Sequence, residues 1–105
     1  MEQLASLFKA LADPTRLRII NLLLHSPFCV CEMERILDLP QPLLSRHLAY
    51  LRNSRLVESA RDGMRVNYSL NEGNTPLAGM QPLLLELLSE DAVGRADLSS
   101  LRTVV

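Results

Sequence analysis

Cys29 and Cys31, separated only by Val30, are the two cysteines of this 105-residue chain. A pair of thiolates is a soft donor set suited to thiophilic ions, and two thiols this close can also pass into a disulfide. Inert burial of two small side chains is the alternative. Residues two apart in an α-helix do not face each other, so the pair serves one compact site only where a helix start is distorted. Pro27 and Phe28 put Cys29 at such a boundary, where unpaired backbone N–H groups and the helix dipole favour thiolates. His25, a single histidine near a helix end, more simply solvates or caps that end than serves as a ligand. No hydrolase elbow, metal triad or nucleotide loop is present, which argues against an enzyme.

The second group with chemical potential is polar and basic. Between Gln41 and Leu70 five arginines face two carboxylates, a balance of +3, although the whole chain carries a net charge of -1. The flanking stretches, 1–40 and 71–105, balance at -1 and -3, so positive charge is confined to the middle. Gln41, Ser45, Arg46, His47, Tyr50 and Arg52 surround the apolar positions Leu44, Leu48 and Leu51. Polar side chains on early helical turns can meet base edges, and Arg52 is suited to a phosphate. Arg61 and Arg65 flank the turn formed around Asp62 and Gly63, where guanidinium groups could straddle a DNA backbone and add a salt-dependent attraction. An ordinary solvated helix face is the alternative for SRHL taken alone, and strand packing for Tyr68.

The elements that must hold these groups follow from periodicity. Leu4, Ala5, Leu7, Phe8 and Leu11 predict a first amphipathic helix, and Asp13-Pro14 starts a second through about His25. CVCEMERILDL reads as a short third helix, and QPLLSRHLAYLRNSR as a longer fourth. LVESA and RVNYSL predict two strands joined by RDGM. Thr75-Pro76 opens a last helix with Leu77, Met80, Leu83, Leu84, Leu87 and Leu88 as its apolar surface. The length, with 48% hydrophobic and 22% charged residues, supports one folded domain over 1–90, followed by a poorly constrained tail over 91–105. No signal segment or membrane-length apolar run is read, so a cytoplasmic protein with reduced thiols and no membrane partner is expected. The order of elements predicts a mainly α fold with a small β-hairpin, a winged helix-turn-helix. Apolar faces on the terminal helices predict a symmetric homodimer that sets two reading helices on related half-sites of double-stranded operator DNA.

LADPTRLRIINLL, CVCEMER, QPLLSRHLAYLRNSRLV and RDGMRVNYSL together resemble the ArsR/SmtB family of bacterial winged-helix repressors. The CVC start is similar to the arsenic-responsive branch, and the resemblance implies a repressor that releases its operator when trivalent arsenic or antimony binds Cys29 and Cys31. It implies no permanently required cofactor. In that branch a third thiolate follows three residues after the second cysteine, and here Glu34 stands at that position. The final helix lacks the histidine expected of zinc-sensing branches. A redox-responsive repressor and a homodimeric interaction module that does not bind DNA are the alternative functions.

Overall fold

The computed structural model describes the backbone of residues 1–104 and the side chains of residues 1–101. In chain order it contains α1 (Glu2–Leu11), α2 (Pro14–Leu23), β1 (Phe28–Cys29), α3 (Val30–Leu37), α4 (Gln41–Asn53), β2 (Val57–Asp62), β3 (Arg65–Leu70), α5 (Thr75–Glu90) and α6 (Ala92–Val104). It is mainly α with a small antiparallel sheet, as the periodicity predicts.

Local signals explain most of these boundaries. Asp13 is extended and its carboxylate accepts from Arg16 N at 3.0 Å, capping α2, while Pro14 occupies the first turn where no backbone donor is needed. Asn74 does the same for α5 by accepting from Leu77 N at 3.1 Å. α4 buries Leu44, Leu48 and Leu51 completely against a core that also contains Leu7, Ile19, Ile20, Leu22, Met33 and Leu56. These three leucines fix which face of α4 is left to solvent.

β2 and β3 pair antiparallel from Val57 with Leu70 to Asp62 with Arg65. Gly63, with φ of +64°, supplies the left-handed residue that a tight two-residue hairpin loop requires. β1 was not foreseen. Phe28 and Cys29 pair with Tyr68 and Asn67, giving the strand order β1-β3-β2, so the first residue of the predicted third helix, Cys29, is instead extended. Between α4 and β2, Arg55 is left-handed with φ of +65°, and its carbonyl accepts from the amides of both Asn71 and Asn74 at 3.0 Å.

Ala92–Val104 forms α6, which packs on α2, α3 and α5. Asp91 Oδ2 accepts from Val93 N and Gly94 N at 3.0 Å and starts the helix. Asp97, 4% exposed, takes a two-pronged contact from Arg18, with Nε to Oδ2 at 2.8 Å and Nη2 to Oδ1 at 2.9 Å. The buried Asn21 amide donates to Gly94 O at 3.1 Å. A Cβ on Gly94 would lie 2.2 Å from the backbone oxygen of Leu88, so α5 and α6 meet where only glycine fits. Gly94→Ala should therefore cost about 2 kcal/mol through forced displacement of α6. Denaturant midpoints of the two proteins check this, and equal midpoints would place α6 elsewhere.

The leucine face of α5 is also divided. Leu77 and Leu84 are buried, with Met80 and Leu88 packed against the core, but Leu83 and Leu87 are 51% and 55% exposed. Positions 77, 80, 84 and 88 follow the helical repeat of one face, which leaves 83 and 87 turned away.

Candidate nucleic-acid interface and dithiol site

α4 and the β2-β3 hairpin carry the residues predicted to meet DNA. Gln41, Arg46, Tyr50 and Arg52 are exposed along α4, and Arg61 is exposed on β2. Gln41 Nε2 donates to Ser45 Oγ at 3.0 Å, holding two of these side chains along the first turns. Arg52 Nη1 donates to Ser59 Oγ at 3.3 Å, tying the end of α4 to the hairpin.

His47 and Arg65 are engaged within the protein. The His47 side chain is only 13% exposed, and its Nδ1 lies 3.4 Å from Arg16 Nη1 and 4.0 Å from Asp13 Oδ1. Burial pushes the Asp13 carboxyl up, but the backbone N–H of Arg16 and the facing His47 and Arg16 side chains outweigh this and hold it below the usual carboxylate range. Arg65 Nη2 pairs with Glu32 Oε1, and its Nε donates to Asn67 Oδ1 at 3.3 Å.

Arg16 was not singled out in the sequence, yet it organises the inner side of α4. Its Nε donates to Ala10 O at 2.7 Å and its Nη2 to Lys9 O at 3.1 Å, closing the end of α1, while its guanidinium lies 4.1 Å from the centre of the Tyr50 ring. Such stacking combines cation–π attraction with restriction of the ring. The only local signal is Asp13, one helical turn earlier.

The dithiol sits at the junction of β1 and α3. Cys29 is the extended N-cap of α3, with φ of -84° and ψ of 165°, and Cys31 lies in the first helical turn. The Cα atoms lie 5.4 Å apart, and with Cys29 extended rather than helical the two sulfurs meet as a disulfide. Cys29 is buried and Cys31 exposed, so the pair is reached from the Cys31 side. Cys29 Sγ accepts from Glu32 N at 3.4 Å while Glu32 Oε1 accepts from Cys29 N at 3.0 Å, a reciprocal capping box. Burial pushes the Glu32 carboxyl up, but the Cys29 N–H and Arg65 outweigh this and lower it. A concavity of about 390 Å³ opens beside the pair, lined by Cys29, Val30, Cys31, Met64, Arg65 and Val66. Among the described residues no group of three or more His, Cys, Asp or Glu side chains is arranged to hold a metal ion, so Glu34 does not complete such a set.

Residues 13–59 match the profile of the bacterial regulatory proteins of the arsR family. An arsenic resistance transcriptional regulator of Pseudomonas putida is 38% identical over 97 residues, spanning 87% of this chain and 76% of that protein. The chain belongs to the ArsR family. A transcriptional repressor SmtB homolog of Synechocystis is likewise 38% identical over 73 residues, covering 70% of the chain and 55% of the relative. The fold matches HlyU of Vibrio cholerae with a TM-score of 0.75 at 36% identity, over 82% of this chain and 91% of that one. These relatives are regulators rather than enzymes, and the order of α3, α4 and the β2-β3 hairpin is consistent with a winged helix-turn-helix. Among the described residues no helix is long and apolar enough to cross a membrane.

Proposed function

We propose that this ArsR-family chain is a homodimeric repressor of double-stranded operator DNA that lets go when a trivalent metalloid, arsenite or antimonite, binds Cys29 and Cys31. The observation that carries the proposal is the meeting of the two sulfurs at the cap of α3, the helix immediately before the reading helix. Starting from the reduced pair, arsenous acid exchanges two As–O bonds for two As–S bonds, and the thiol protons leave with the displaced hydroxides as two waters. The third arsenic substituent remains hydroxide or is replaced by a small thiol, directed toward the concavity beside Val30 and Met64. Further support comes from the similarity to an arsenic resistance regulator.

On DNA, Gln41, Ser45, Arg46 and Tyr50 meet the major groove, Arg52, Arg61 and Arg65 meet phosphates, and His47 positions α4 from its inner side. The half-exposed apolar side chains Leu4, Phe8, Leu83 and Leu87 supply the contact between two copies. Titration of an operator duplex, selected by the protein from random-sequence DNA, with and without arsenite tests the function directly: affinity should fall on adding arsenite. Arg61→Ala should weaken binding to unrelated sequences by a similar factor and reduce the salt slope by about one. An effect limited to one sequence would move Arg61 to a base edge.

A second function draws on the same sulfur pair. Reversible oxidation of the dithiol would lower operator affinity without a metalloid, and mass measurement of oxidised protein, separated by oligomeric state, distinguishes an internal disulfide from one between copies.

A further inference from the structure

The cysteine pair and the wing are linked through one carboxylate. Glu32 Oε1 accepts from Cys29 N at 3.0 Å and also pairs with Arg65 Nη2, while Glu32 N donates to Cys29 Sγ at 3.4 Å. The sulfur therefore caps the helical turn that carries the carboxylate, and the carboxylate holds the guanidinium. Arg65 is the first residue of β3, paired with Asp62 across the Gly63-Met64 loop, so it sits where the wing leaves the sheet. A second route runs parallel: Arg65 Nε donates to Asn67, which is the strand partner of Cys29.

We propose that Glu32 and Arg65 are positioning residues that transmit the state of the dithiol to the wing and set how far metalloid capture weakens DNA binding. This rests on the metalloid-released repressor proposed above. When both sulfurs bond to one arsenic, two As–S bonds stand in place of the direct sulfur–sulfur bond seen here, and Cys29 Sγ, which keeps its lone pairs, is re-aimed toward the metalloid and away from Glu32 N. The capping box opens, the first turn of α3 shifts with its carboxylate, and Arg65 loses the anchor that holds the wing in its DNA-facing position. The Arg65 and Glu32 side chains are 49% and 22% exposed, so the ion pair adds little to global stability and can part without unfolding the domain.

Glu32→Gln isolates this role. Glutamine can serve at the same place in a capping box and still accept from Cys29 N, but it removes the negative charge facing Arg65. The full chain, reduced with a phosphine, is titrated with the selected operator duplex with and without arsenite, and arsenite stoichiometry is read by native mass spectrometry. The ratio of the two dissociation constants measures the coupling, for which about 5- to 150-fold is the usual range. Glu32→Gln should bind arsenite with wild-type stoichiometry yet compress the ratio at least about threefold, while Arg65→Lys, which keeps the cation, should retain more of it. An undiminished ratio in Glu32→Gln overturns the coupling and leaves the repressor function standing. Loss of arsenite binding in Glu32→Gln makes Glu32 part of the ligand site and likewise overturns it. A wild-type ratio of one overturns the repressor function and the coupling together. Should Glu32→Gln lose operator binding outright, the same comparison is made with Arg65→Lys, where a ratio below that of Arg65→Ala overturns the assignment.

Discussion

Arg16→Met should destabilise the domain by about 3 kcal/mol and weaken operator binding beyond what the loss of folded protein explains. Methionine keeps an unbranched apolar stem but removes the guanidinium that closes α1 through Ala10 O and Lys9 O. Hydrogen bonds from a charged donor contribute about 1.5–3 kcal/mol each when their loss leaves partners poorly satisfied, and the exposed Lys9 contact contributes at the low end. The functional part arises because the same guanidinium stacks on Tyr50 and borders His47, so its removal frees the outer ring and the inner imidazole of α4 together. Chemical denaturation gives the first quantity. Operator titration at a denaturant-free temperature well below the melting transition gives the second. A variant within about 0.5 kcal/mol of wild type would show that water replaces both carbonyl contacts without loss.

The second large effect concerns release. The double variant Cys29→Ser/Cys31→Ser should bind operator within about twofold of wild type and show no response to arsenite. Serine is among the better N-cap residues, so at position 29 it preserves the bond to Glu32 N, and at the exposed position 31 it is nearly neutral. The fold is therefore retained while the soft donors are exchanged for hydroxyls with little affinity for arsenic. Each single variant should lose most of the response, because one thiolate cannot close the two-point attachment. Release that survives in the double variant would move the effector site away from α3.

Much of α4 was legible from local pattern. Leu44, Leu48 and Leu51 recur on one face and are all fully buried, which leaves Gln41, Arg46, Tyr50 and Arg52 outward. The Asp13-Pro14 start of α2 and the Asp62-Gly63 turn were equally direct, since a cap and a left-handed glycine act over a few residues. What escaped depends on partners distant in sequence. Two residues cannot announce a strand, and Phe28-Cys29 becomes one only by meeting Tyr68 and Asn67. α6 looks like a polar tail until Asp97 is matched with Arg18 and Gly94 with the back of α5. His47 matched the reading segment by position, but Arg16 and Asp13 draw its ring inward. The need for a distorted helix start at the cysteines was visible from spacing; the role of Glu32 was not, because it requires both the cap and the strand bearing Arg65.

The left-handed Arg55 has a mechanical consequence. Its carbonyl is gripped by the amides of Asn71 and Asn74, one residue past β3 and the other capping α5, so the chain leaving α4 and the chain entering α5 are fastened to one atom. The hairpin between them is thereby a loop clamped at its base. It can be lengthened or shortened beyond Ser59 and Tyr68 without changing the phase between α4 and the helix that carries Leu83 and Leu87. In the proposed homodimer, a graft of a longer hairpin tip should then alter contacts with DNA while preserving the separation of the two α4 helices.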